Sequence, residues 1–288
     1  MHGWSAERIA AAAGAELVRS GAGHPVRIDI DSRQAGPGGL FVGLKGVNSD
    51  GGAFATQALE RGAWGALVGR GNEVAGDGAV LVADNPLLAL QHLATAYRRE
   101  LGATVIGVTG STGKTSTKDI LEALLSPQVG TWATTGNLNT EIGVPMTILA
   151  AVPGTAMVVL EMAMRGAGQI AELGAIAEPD VGVIVNVGPV HLELLGSIEA
   201  IAATKAELIA ALPPSGTAVI PADEPLLESH LRDDIEIVRF GEEPLPDALT
   251  LTIAGREPSA HMLANARAAV AAARAAGVEP TGRIDVEL

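Results

Sequence analysis

The 288-residue sequence contains no cysteine, which excludes disulfide staples, thiolate metal centres and cysteine nucleophiles. Aromatic side chains make up only 2% of it, leaving little with which to stack unpaired bases. Positive charge is also short. Nineteen Lys and Arg stand against 33 Asp and Glu, for a formal net charge of −14 and a pI near 4.8. That balance argues against a nucleic-acid surface or an anionic membrane as partner. No uninterrupted apolar run approaches the ~20 residues of a membrane span. The opening MHGWSAERIAAAAGAEL has neither the basic start nor the clean apolar stretch of a signal peptide. These absences predict a cytoplasmic protein that binds no nucleic acid and inserts into no membrane. An acidic chain that binds phosphates must do so locally, through backbone N–H groups, one or two cations and a metal.

What is present is a regular alternation. Strand-like runs at Val26–Asp31, Leu40–Leu44, Ala66–Gly69 and Ala79–Ala83 are interleaved with helical patterns at Ala53–Arg61 and Pro86–Leu101. A second series places strands at Thr104–Thr109, Met157–Glu161, Gly182–Val187 and Ala218–Pro221. Helices are expected between them at Ser116–Leu125, Gly168–Ala177 and Ser197–Leu212. The pattern predicts an α/β fold with mainly parallel sheets covered by helices on both faces. A boundary near residues 98–103 divides it into domains 1–100 and 101–288. No internal repeat or low-complexity tract appears.

The second domain opens on a loop with chemistry in it. The β-branched run Thr104–Thr109 leads directly into Gly110-Ser111-Thr112-Gly113-Lys114-Thr115-Ser116 and then into apolar helix positions at Ile120, Leu121, Leu124 and Leu125. The usual phosphate loop, G-x-x-x-x-G-K-[ST], requires its first glycine at position 108, where this chain has Val108. Strand, glycine loop, Lys-Thr and helix nevertheless follow in the order that aims backbone N–H groups and a helix N-terminus at an anion. Lys114 would reach the β- and γ-phosphates of ATP, and the Thr115 hydroxyl would hold Mg²⁺. Glu161 ends one apolar strand and His191 follows another, so both belong to the carboxyl edge where such sheets bind ligands. Taken singly, a post-strand Glu is as readily a solvated edge residue, and a lone His a polar loop residue. Lys205 lies roughly on the apolar flank of the helix Ser197–Leu212, which favours a functional role over the alternative of an ordinary exposed lysine.

The spacing T-G-x-x-G-K-T resembles that of the Mur ligase family. Asn137-Leu138-Asn139-Thr140-Glu141-Ile142-Gly143-Val144-Pro145 is similar to its N-x-N-x-E-I-G-x-P segment, and Glu161–Gly166 to its E-M-G-M-R-G, with Ala163 for a glycine. Asn186–Glu193 resembles N-x-G-x-x-H-L-E, followed at the right distance by Ala203-Thr204-Lys205-Ala206-Glu207. Asp31-Ser32-Arg33 and the Gly39–Gly46 run look like the family's uridine-binding domain. Nearly the whole chain takes part, and the dipeptide-adding branch is favoured.

The resemblance implies ATP-dependent amide-bond formation in cell-wall (peptidoglycan) precursor synthesis, and so a role in cell shape and division. D-Ala-D-Ala would be joined to UDP-MurNAc-tripeptide through an acyl phosphate. It implies ATP contacts at Gly110–Ser116 and Asn265, and substrate contacts at Ser32, Arg33, Asn139, Thr140 and Arg165. Thr115, Glu161, His191 and a carbamylated Lys205 would be the metal set, and Lys114 would act with the last three in catalysis. The expected molecule is a monomer. Three departures stand against the pattern. Asp50-Gly51-Gly52 replaces Asp-Gly-His, so one substrate-side polar contact is expected to be missing. The stretch from Phe240 to His261 leaves little room for the strands the family carries there. The family's third, Rossmann-like domain is expected to be missing after the helix that carries His261 and Asn265, either because a separate chain supplies it in trans or because the gene was cut short. Two alternatives are a module that binds ATP and the UDP-substrate with little turnover, and a folylpolyglutamate-type ligase. The Asp31–Arg33 segment argues against the latter.

Overall fold

Ser5 starts the first helix and Gly14 stops it. The Ser5 hydroxyl accepts from the Arg8 N–H, and Gly14 adopts the left-handed conformation that closes helix α1 (Ala6–Ala13). The structure is a computed structural model that describes all residues except His2, Asn48, His191 and Leu288. It divides into two units, Met1–Leu101 with Ile148–Pro153, and Gly102–Thr147 with Gly154–Leu288.

After α1 the first unit runs β1 (Glu16–Arg19), β2 (Arg27–Asp29), β3 (Gly39–Val42), α2 (Ala55–Glu60), β4 (Gly65–Gly69), β5 (Ala79–Ala83) and α3 (Pro86–Leu101). Its five strands lie in the order β1-β5-β4-β3-β2. Only β1 runs antiparallel to its neighbour. Strands β3 and β4 are apolar and almost wholly buried, as expected when both faces of a parallel sheet are covered. The expected helix Ala53–Arg61 begins instead as a 3₁₀ turn over Gly51–Phe54, capped by the Asp50 side chain on the Gly52 N–H.

The second unit runs β6 (Thr104–Thr109), α4 (Lys114–Leu125), β7 (Thr131–Ala133), α5 (Gly143–Ala150), β8 (Met157–Glu161), α6 (Gln169–Ala177), β9 (Val181–Ile184), α7 (Leu192–Leu195), α8 (Ile198–Ala210), β10 (Thr217–Pro221), β11 (Glu236–Phe240), β12 (Leu249–Ile253), α9 (Ala260–Ala275) and β13 (Gly282–Val286). The final residues of α5 cluster with the first unit. Six strands form a parallel sheet, β11-β10-β9-β6-β8-β7. The period-2 rule splits the core. Val183 and Val219 face α4 and α9, while Ile184, Ala218 and Ile220 face α8. The chain leaves β6 towards β7 and β8 on one side and later returns to β9 on the other. The carboxyl end of β6 is therefore a topological switch point, where sheets of this kind bind ligands.

The segment between Phe240 and His261 is not strand-free. It contains β12, which pairs in parallel with β13 near the end of the chain. Twenty residues sufficed because the partner strand comes from elsewhere. No helix among the described residues is long and apolar enough to cross a membrane.

Candidate phosphate-binding site

The loop between β6 and α4 takes its shape from residues distant in sequence. Gly113 has φ +76°, and a Cβ there would run into the Asn265 side chain, which is buried in α9. Only glycine meets both conditions. The Ser111 and Thr112 N–H groups donate to Asn186 Oδ1 at 3.1 and 3.0 Å. Asn186 Nδ2 in return donates to the Thr112 carbonyl and hydroxyl, each at 3.1 Å. The Ser111 hydroxyl donates to the Gly188 carbonyl and accepts from the Gly188 N–H, at 2.9 and 2.8 Å. Gly110 opens this loop, and Ser116 lies half-buried in the first turn of α4. No side chain caps α4 at Gly113. Its leading N–H groups and the positive end of the helix dipole are left for an anion.

Lys114 Nζ donates to the Gly110 carbonyl at 2.8 Å. Burial holds its pKa below the usual lysine range, against the pull of the Glu161 carboxylate. Glu161 is the last residue of β8 and only 3% exposed. Its Oε2 accepts from the Thr115 hydroxyl and its Oε1 from Asn139 Nδ2, each at 2.8 Å, while its own N–H donates to Thr134 Oγ1 at 3.0 Å. The Glu161 carboxylate and the Thr115 hydroxyl are hard oxygen donors of the type that suits Mg²⁺, while Asn139 presents its amide N–H to the carboxylate.

Lys205 lies in α8 and is 2% exposed. Burial first, and then the positive charge of Lys114, push its pKa down to about 8. It has no carboxylate partner among the described residues. His191 lies outside the described residues. Among those described, no group of three His, Cys, Asp or Glu side chains could hold a metal. Among the described residues, the side chains hydrogen-bonded to the Glu161 carboxylate are those of Thr115 and Asn139.

Two cavities flank this edge. One of about 270 Å³ includes Asn139, Thr140 and Arg165 in its lining. The other, of about 320 Å³, has Asn186, Phe240, His261 and Asn265 among its walls. Ser32 and Arg33 belong to the first unit. There the Ser32 hydroxyl donates to Gln57 Oε1 at 3.3 Å, and Arg33 pairs with Asp31 at 2.7 Å. The Arg33 hydrogen bonds hold the Asp31 carboxyl down to about 2. At Gly52 a Cβ would meet the Asn72 side-chain amide at 2.5 Å. An amide from another loop therefore occupies the space where a longer side chain at position 52 would start.

The pattern of the Mur ligase middle domain matches residues 108–254, and that of the Mur ligase family catalytic domain matches residues 26–106. The chain belongs to the Mur ligase family. The UDP-N-acetylmuramoyl-tripeptide–D-alanyl-D-alanine ligase of Synechocystis is 44% identical over 201 residues, covering 69% of this chain and 44% of that protein. One crystal structure of MurF from Acinetobacter baumannii superposes with a TM-score of 0.85 at 30% identity, covering 96% of this chain and 65% of that one. MurF ligase from Thermotoga maritima, solved in complex with ADP, gives a TM-score of 0.77 at 31% identity, with coverages of 88% and 64%. This Mur ligase chain spans about 44% of the length of the curated relative and about two thirds of the solved structures.

Asn186 has a structural role that its motif does not reveal. Its motif was visible, but its job, latching the phosphate loop to the strand that neighbours β6, depends on sheet order. Thr134, which receives the Glu161 N–H, has a role of the same kind.

Proposed function

We propose that the chain carries the ATP and acceptor sites of an ATP-dependent ligase that joins D-alanyl-D-alanine to UDP-N-acetylmuramoyl-tripeptide. The observation that carries this reading is the phosphate loop. Its loop amides are latched by Asn186, the N-terminus of α4 is uncapped, and Thr115 and Glu161 meet at its edge. The names of the relatives supply the substrate class, and the bound ADP in the Thermotoga relative supports the nucleotide.

Amide formation between a carboxylate and an amine needs activation. The terminal carboxylate of the tripeptide attacks the γ-phosphorus of ATP and ADP departs, leaving an acyl phosphate. The dipeptide amine then attacks the acyl carbon, phosphate departs with the C–O electron pair, and the amine loses a proton. Both partners of the first step are anionic, so positive charge must offset their repulsion. Lys114 supplies one charge at the β/γ position. Thr115 and Glu161, with Asn139 beside them, would hold Mg²⁺, whose charge supplies the remainder. Lys205 suits carbamylation on chemical grounds. With a pKa of about 8, a sizeable fraction of its amine is neutral near pH 8 and able to add to CO₂. The product would be an anion beside Lys114 in place of a second cation. His191 completes the proposed ligand set from the sequence pattern. Ser32, Arg33, Thr140 and Arg165 are assigned to the acceptor, and Asn265 to the nucleotide base side.

The test is ADP release with UDP-N-acetylmuramoyl-tripeptide and D-alanyl-D-alanine, alongside calorimetric ATP titration of the same protein. ATP binding and release that depends on both acceptor and dipeptide support the ligase reading. Release indifferent to both would overturn it, and absence of ATP binding would also remove the loop assignment.

A further inference from the structure

We infer that Glu207 is a positioning residue for the acceptor: from α8 it fixes the turn that presents Arg165. The inference rests on the ligase reading above, in which Arg165 meets the acceptor, and adds the residue that holds it in place.

Helix α6 has no cap of its own. Its N-cap is Gly168, which has no side chain to offer the first N–H groups of the helix. Glu207 supplies the acceptors from another helix. Its Oε1 accepts from the Gly168 N–H at 2.7 Å and its Oε2 from the Ala171 N–H at 3.0 Å. These are the N–H groups of the N-cap and the third helical position, the pair that a capping box satisfies from within one helix. Here one carboxylate from α8 serves both. Its negative charge also lies at the positive end of the α6 dipole.

The first residue of α6 passes this anchorage on to the turn. Gln169 Oε1 accepts from the Arg165 and Gly166 N–H groups at 2.5 and 3.1 Å. Upstream, the Met162 N–H donates to the Val108 carbonyl and the Ala163 N–H to the Asn139 carbonyl, at 2.8 and 2.9 Å. The segment from Glu161 to α6 is therefore fastened at both ends. Arg165 lies between the two fastenings, exposed at the wall of the cavity beside Asn139. Loss of the rear fastening would leave Glu161 in place and release Arg165.

Glu207 also ties the turn to the phosphate side of the site. Lys205 and Glu207 are two positions apart, about 200° around a helix, so their side chains leave α8 on nearly opposite sides. Lys205 goes towards Lys114, whose charge it feels, and Glu207 goes to α6. One helix thus sets the spacing between the lysine of the phosphate loop and the arginine of the acceptor. A cap supplied from within α6 would hold that helix equally well without linking the two.

The experiment titrates UDP-MurNAc-tripeptide and, separately, ATP by calorimetry into the parent protein, Glu207→Gln, Arg165→Gln and the double variant. Glutamine keeps the length of the side chain but has one oxygen and no charge, so one N–H of α6 loses its acceptor. Glu207→Gln should weaken acceptor binding about tenfold, as Arg165 loses its preset position, and leave ATP affinity within about twofold. In the Arg165→Gln background the same change should alter acceptor affinity by less than about twofold. Its effect on the melting temperature should be the same in both backgrounds. Gln169→Ala frees the Arg165 turn without touching α8 and should give the same binding pattern, so it decides the matter if Glu207→Gln melts below the assay temperature. Unchanged acceptor affinity, an equal loss of ATP affinity, or a full loss that persists in the Arg165→Gln background would overturn the inference while leaving the ligase reading intact. Failure of the parent protein to bind UDP-MurNAc-tripeptide would overturn the ligase reading itself, and this inference with it.

Discussion

The loop Gly110–Thr115 and the turn Asp31–Arg33 are both assigned to substrate groups, and they are held in opposite ways. The loop is fastened from far along the chain, by Asn186 and Gly188 more than 70 positions away and by Glu161 46 positions beyond Thr115. The turn is fastened mainly by itself: Arg33 pairs with Asp31 two residues back, and the nearest outside help comes from Gln57 and Arg61. One site is a property of a packed unit and is shaped before any ligand arrives. The other is a surface ion pair that a ligand must compete with, since an incoming anion has to draw Arg33 from Asp31. Rigid backbone donors suit a phosphate, whose oxygens they can meet without rearrangement, whereas a side-chain ion pair must be opened before it can receive an anion.

Lys114→Ala should have the largest effect on this contrast. Loss of the point charge from a shaped loop should weaken ATP binding by about a hundredfold with the circular dichroism spectrum unchanged. Unaltered affinity would mean that the loop does not bind nucleotide. Lys205→Met should act in the other direction, on stability. The folded pKa of about 8 lies below the ordinary 10.5. Below pH 8 the ammonium is carried by folded and unfolded chains alike, and the whole burial penalty is present. Between pH 8 and 10.5 the folded state sheds its proton first, so the stability of the parent rises with pH. Met should therefore stabilise the protein by about 2–3 kcal/mol near pH 7, with the gain shrinking above pH 8 in urea titrations. No gain at pH 7 would indicate that the amine is already modified.

Asn186→Ala tests the latch. Ser111 and Thr112 would exchange a fixed acceptor for water, at about 1–2 kcal/mol in stability, and ATP affinity should fall about tenfold as the loop loses its preset shape. The smallest effect is expected at the turn. Arg33→Ala should lower the melting temperature at neutral pH only slightly, because an exposed pair adds little, yet weaken UDP binding several-fold by calorimetry. Asp31, held near 2 rather than at its ordinary 3.8, contributes only above its unfolded value. That small contribution disappears as pH falls from about 4 to 2, and Arg33→Ala should remove it.

The sequence was most legible where one local run carries the whole message. Thr104–Thr109, the glycine loop, Lys114-Thr115 and the apolar helix positions specify strand, anion site and helix without outside help. Legibility failed where a role is made by pairing. Leu249–Ile253 is short and lies between loop residues, and nothing local indicates that its partner is Gly282–Val286. The Asn186 latch depends on β9 lying beside β6, which sheet order decides and spacing does not. The helix Ala6–Ala13 lies outside the strand-and-helix series expected from sequence, although its Ser5 and Gly14 caps and the helical spacing of buried Ala6, Ile9, Ala10 and Ala13 mark it.

The contact between Gly113 and Asn265 has a consequence for how the protein is made. The loop leaves the ribosome early, but the side chain that closes against it is synthesised about 150 residues later, a delay of order ten seconds or more at ordinary elongation rates. Until α9 docks, the glycine has no wall behind it and the loop can sample shapes that bind phosphate poorly. A nascent chain should thus acquire nucleotide affinity late and abruptly, at the moment α9 clears the exit tunnel, rather than gradually as the parallel sheet grows.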